Sequence, residues 1–125
     1  MDKTVLVGPD LEEGQRFLEL LILNGVPVHA ALWEKDEVLG RWNLLIVTPL
    51  VEQIGIKETH RRLDEILSRA PDRPAIDLLN VFVFTPESSF YKSLRRELRH
   101  ARDFVITKRP IGDHFVDTGY IYFVR

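Results

Sequence analysis

Lys92, Arg95, Arg96 and Arg99 recur at intervals of three and four, so on a helix they form one cationic stripe opposite Phe90, Leu94 and Leu98. Four cations on one stripe can neutralise several phosphates, which is the physical need of a nucleic-acid binder. The same stripe also suits a solvated helix face, because arginines toward a C-terminus complement the helix dipole. A third use is contact with the acidic first helix of another copy. Charge along the chain is lopsided. Residues 1–40 hold three basic groups against eight acidic ones, a net of −5, and residues 88–110 hold seven against two, a net of +5. The whole chain has a net charge of −2 and a pI of about 6.1, which speaks against a dedicated nucleic-acid binder.

His29, Trp33 and Trp42 fall where one face of a hairpin can carry all three. Exposed, such a face would stack on bases or sugars. Buried, it would anchor a core or an interface, with the histidine at the rim. The four histidines, His29, His60, His100 and His114, lie far apart, and none has the spacing of a helical zinc motif. Asp113, His114 and Asp117 come close together beside the last hairpin. They read either as a solvated turn or as the one cluster able to hold a cation or serve as acid and base in a nucleolytic reaction. Ser68, Ser88, Ser89 and Ser93 occupy no nucleophile elbow, and the seven glycines form no dinucleotide or phosphate loop. The chain has no cysteine, hence no disulfide, thiol nucleophile or cysteine-based zinc site. No catalytic residue, metal or cofactor is expected from these patterns.

The elements that would position these groups are marked by a repeated junction. Asn43–Pro49 (NLLIVTP) is echoed by Asn80–Pro86 (NVFVFTP) and more weakly by Thr4–Pro9 (TVLVGP). Each is a short apolar run that suits a strand covered on both faces. The residue before proline is held extended, and proline fits the first position of a helix. Thr48 and Thr85 are therefore predicted N-caps, with Asp10 and Glu13 competing with Gly8 at the first joint. The three helices that follow have apolar stripes at Leu11, Phe17, Leu18, Leu21 and Ile22, at Ile56, Leu63, Ile66, Leu67 and Ala70, and at Phe90, Leu94 and Leu98. Asn24-Gly25 should stop the first, and Gly55 should separate one turn from a better helix over 57–70. Val28–Glu34 with Arg41–Val47 reads as a hairpin, with Trp33 placed opposite Trp42. Arg102–Lys108 with Phe115–Val124 reads as a second.

The predicted order is β-α-β-β-α-β-α-β-β: a mixed α/β sheet of about six strands with three helices, on both faces. The first, third and fourth strands are expected at the centre. At 125 residues, 45% hydrophobic and 29% charged, the chain makes one domain over residues 1–125 and is neither disordered nor membrane-spanning. The N-terminus lacks the regions of a signal peptide, so a cytoplasmic location is expected. The runs VLVGPDLEEG, VHAALWEKDE, LLIVTPLVEQIG and GYIYFVR resemble short uncharacterised prokaryotic proteins, a resemblance that implies no activity or site. The function expected is a non-catalytic binding or assembly module acting through protein contacts and self-association. Its candidate contact residues are Lys92, Arg95, Arg96, Arg99, His29, Trp33 and Trp42. The alternative is a nucleic-acid-binding or nucleolytic protein using the basic helix over residues 92–102.

Overall fold

A first helix, α1 (Leu11–Leu23), is set by its two ends. The Asp10 carboxylate accepts from the Glu13 amide at 3.1 Å, so the cap comes from Asp10. At the other end Val26 N–H donates to Leu21 O at 3.0 Å and Gly25 N–H to Ile22 O at 3.1 Å, with Gly25 at φ +84°. That paired arrangement closes a helix only where a residue can turn left-handed, and glycine does so without a Cβ clash. The computed structural model describes residues 9–125, so the expected strand at Thr4–Val7 and Gly8 lie outside the described residues.

Five strands follow among the described residues: β1 (Ala30–Asp36), β2 (Arg41–Val47), β3 (Val81–Phe84), β4 (Arg102–Ile111) and β5 (His114–Val124). They form one sheet in the order β3-β2-β1-β5-β4, with β2 and β3 parallel and every other pair antiparallel. The helices between them are α2 (Leu50–Arg69) and α3 (Ser89–Leu98). The mixed α/β class and the order of elements agree with the apolar runs. Strand position does not: β1, the first arm of the hairpin, is central, and β3 is an edge among the described residues. A hairpin arm reaches the centre because β5 returns to its free side, and nothing in the local pattern of β1 announces that partner.

Trp33 stands opposite Leu44, and Trp42 opposite Lys35, two residues away from the expected register. A slip of two leaves the paired residues of β1 and β2 on their predicted faces, because side chains alternate with period two, whereas Val28 before β1 is buried in the layer of Ala31 and Trp33, opposite to expectation. Ala31, Trp33, Leu44 and Ile46 are buried in a layer with Phe17, Leu18 and Leu21 of α1 and Leu63, Ile66 and Leu67 of α2. Ala30, Leu32, Leu45 and Val47 are buried on the other side with Tyr91 and Leu94 of α3. Helices therefore cover both faces. His29 breaks the alternation. It precedes β1, and its ring lies 6.0 Å from that of Tyr91, on the α3 side, away from the tryptophans.

The two Thr-Pro joints behave differently. Thr48 is buried, its hydroxyl accepts from Leu50 N–H at 3.2 Å, and Pro49 has helical φ and ψ at the start of α2. At the second, the Thr85 hydroxyl accepts from Glu87 N–H at 3.2 Å, and Ser88 N–H closes a turn onto Thr85 O at 3.0 Å. Thr85 is thus not the helix cap. Ser88 is, its hydroxyl accepting from Tyr91 N–H at 3.2 Å, and the helix begins three residues after Pro86. Gly55 interrupts α2 at φ +84°, ψ 167°, as predicted. Ile56, expected inward, stands in the first turn after the break and is 60% exposed, while Thr59 one turn on is buried and donates its hydroxyl proton to Gly55 O at 2.6 Å.

The β1–β5 register shifts between Ala31 and Leu32 at a bulge that turns Tyr122 toward α1. There Trp33 Nε1–H donates to the Tyr122 hydroxyl at 2.8 Å, and that hydroxyl donates to Leu11 O at 2.6 Å. Gly14 lies directly over this chain, and a Cβ at residue 14 would overlap the Tyr122 hydroxyl and press on the indole. No helix among the described residues is long and apolar enough to cross a membrane. Gly14→Ala should lower stability by about 1–3 kcal/mol through overpacking. Combined with Tyr122→Phe it should cost less than the two single changes summed, since the overlapped oxygen is gone. Urea denaturation of the four proteins measures this, and strict additivity would contradict the packing.

Candidate anion-binding site

Helix α3 buries Tyr91 and Leu94 against the sheet and leaves Lys92, Arg95, Arg96 and Arg99 exposed. It is shorter than the basic stretch: it ends at Leu98, His100 takes φ +70°, and Arg102 opens β4, so residues 92–102 are not one helix. The stripe lines an open cleft of about 830 Å³ whose remaining wall includes Pro27, His29, Tyr91 and Arg125. Three hydrogen bonds hold that wall. Tyr91 donates its hydroxyl proton to Arg125 O at 2.8 Å, Arg125 N–H donates to His29 O at 2.9 Å, and His29 N–H to Val47 O at 2.8 Å. They tie α3, the end of β5 and the approach to β1 to one another, so the cleft rests on the sheet itself.

Its charge is only partly compensated. Lys92 pairs with Glu87 at 3.4 Å, and Arg96 donates to the Ser93 hydroxyl at 3.3 Å. Arg125 lies 4.8 Å above the Phe123 ring, a cation–π placement that fixes its direction. Among the described residues, Arg95, Arg99 and Arg125 pair with no carboxylate. Clustered cations of this kind raise the local anion concentration and favour a ligand that neutralises several at once.

Of the candidate contact residues, the fold brings together Lys92, Arg95, Arg96, Arg99 and His29. It places the tryptophans elsewhere. Trp33 is 7% exposed with its indole N–H satisfied by Tyr122, and Trp42 is half-buried against the same core layer. Their place is the core layer of α1 and α2, not a stacking platform. Arg125 was not among the candidates, and only the pairing of β5 with β1 puts it beside His29.

Asp113, His114 and Asp117 do not converge. His114 Nε2 lies 2.9 and 2.8 Å from the two carboxylate oxygens of Glu34 on β1, and its ring meets Phe90 edge-on at 5.0 Å. Asp117 is engaged instead with Glu37, whose carboxyl is held above the usual carboxylate range by that hydrogen bond. Among the described residues no three metal-ligating side chains gather. Comparison with protein-family models, curated proteins and solved structures finds no match to this chain.

The Glu34 hydrogen bond raises the pKa of His114 above the ordinary histidine value of 6.5, against the opposing effect of burial. The stabilisation from this pair is therefore complete below about pH 6.5 and is lost as pH rises through the raised value. An NMR titration should place the His114 midpoint above 6.5, and Glu34→Gln should move it down. An unmoved midpoint would mean the carboxylate does not act on the imidazole.

Proposed function

We propose that this protein is a non-catalytic cytoplasmic binding module whose working surface is the basic cleft along α3, and that it holds a polyanionic partner there. The observation that carries this reading is the convergence of Lys92, Arg95, Arg96, Arg99, Arg125 and His29 on one cleft with a single acidic side chain, Glu87, among its described lining residues. That carboxylate is taken by Lys92. Binding rather than turnover is favoured because the one close imidazole–carboxylate pair among the described residues, His114–Glu34, lies outside the cleft lining.

Self-association is the second reading, and a specific feature favours it. Glu34, Asp36, Glu37 and Asp117 line a smaller hollow of about 360 Å³, an acidic counterpart for the basic cleft of another copy. Such a contact joins unlike surfaces and so builds rings or chains rather than a simple two-fold dimer.

Titration with linear inorganic polyphosphate, followed by amide chemical shifts, should perturb residues 27–29, α3 and Arg125. Arg95→Gln with Arg99→Gln should weaken the binding by about tenfold or more at low salt, where two lost charge contacts count most. A response centred on Lys57, Arg61 and Arg62 of α2, or none, would refute the cleft. A molecular mass in sedimentation that rises with concentration, abolished by the same pair of substitutions, would instead support the second reading.

A further inference from the structure

We infer that the polyanion is a single strand of nucleic acid, held through its phosphates with little reading of its bases; this rests on the binding role proposed for the cleft. Three observations point there. First, the cations are mostly arginine, whose planar guanidinium matches phosphate oxygens in pairs. Second, among the described residues the cleft has no large apolar anchor, its apolar lining beyond Tyr91 being Pro27 and Pro86. Tyr91 is 6% exposed with its hydroxyl committed to Arg125, and none of the large exposed apolar side chains, such as Val38, Leu39, Leu79 and Phe115, lines it. A protein partner draws most of its affinity from aromatic or aliphatic anchors in desolvated pockets, and solvent-exposed ion pairs alone add little. A phosphate chain needs no anchor, because release of its condensed counterions supplies the driving force.

Third, the spacing fits. From Lys92 to Arg99 is seven residues of nearly helical chain, about 10 Å at 1.5 Å per residue. At the stacked-strand rise of about 3.4 Å per nucleotide, that is at most about three phosphates, and fewer if the strand is extended, with Arg125 available for one more. Among the described residues the lining has no asparagine, glutamine, tryptophan or phenylalanine, Tyr91 is buried, and His29 is the one partly exposed ring, so sequence preference should be weak.

Fluorescence anisotropy with labelled 12-nucleotide oligo-dT, oligo-dA and oligo-rU, a duplex of the same length, polyglutamate and inorganic polyphosphate tests this. The three strands should bind within about threefold of one another. With four cations engaged at a slope of about −0.7 each, affinity should fall about 50-fold between 50 and 200 mM salt. Arg95→Gln and Arg99→Gln, both at exposed positions and checked for unchanged thermal unfolding, should each reduce the slope by about 0.7. Binding of polyphosphate but of no oligonucleotide would overturn this inference and leave the cleft's binding role standing; binding of no polyanion would overturn both. Polyglutamate binding as tightly as the strands, a duplex binding tighter than they do, or a preference above tenfold for one base would each overturn it.

Discussion

The structure depends on a strand buried from both sides. β1 sends Ala31 and Trp33 into the layer shared with α1 and α2, and Ala30 and Leu32 into the layer shared with α3. Because β2 and β5 pair with its two edges, its backbone groups are satisfied within the sheet as well. The indole of Trp33 would be costly to bury without a partner, and Tyr122 supplies it. The Tyr122 hydroxyl in turn binds the first turn of α1, so one polar chain fixes the distance between helix and sheet. Gly14 is the consequence in the sequence of that closeness.

The same strand organises the cleft, though it contributes no cation to it. The segment entering β1 carries His29, whose carbonyl receives Arg125 at the end of β5. Helix α3 then closes on both through Tyr91. A basic stripe on a helix is ordinary. What gives this one a shape is that the helix leans on the two chain segments that meet beside it. The charge asymmetry along the sequence becomes two hollows, one basic along α3 and one acidic beside β1.

Local chemistry was legible in the sequence, and non-local pairing was not. Asn24-Gly25, Asp10, Thr48-Pro49 and Gly55 each act through hydrogen bonds to residues a few positions away, and each could be placed from the residues themselves. Of the three apolar runs read as strands covered on both faces, residues 44–47 are so covered, Val81–Phe84 leaves Phe82 47% exposed, and residues 4–7 lie outside the described residues. Thr85 misled because Ser88, three residues later, caps equally well and leaves Thr85-Pro86 free to make a turn. Ile56 misled because helical spacing from Leu63 gives the face of a residue but not how far along the helix that face is covered. The cationic stripe was visible at its helical spacing. Its neighbours were not, since the approach of His29 and Arg125 depends on β5 pairing with β1 across some ninety residues of sequence. The tryptophans were assigned the correct strand face, but a face pattern alone does not say whether a helix will cover it.

The outer edge of the sheet at β4 has a further consequence. Asp103 and Lys108 adopt φ of +48° and +45°, and Pro110 contributes no amide hydrogen. Among the described residues β4 is an edge, and interrupted in these three places it offers no continuous row of donors and acceptors, which disfavours addition of a foreign strand. Copies crowded together meet on that side a backbone too irregular to template an endless ribbon, even though the cleft along α3 is rich in cations.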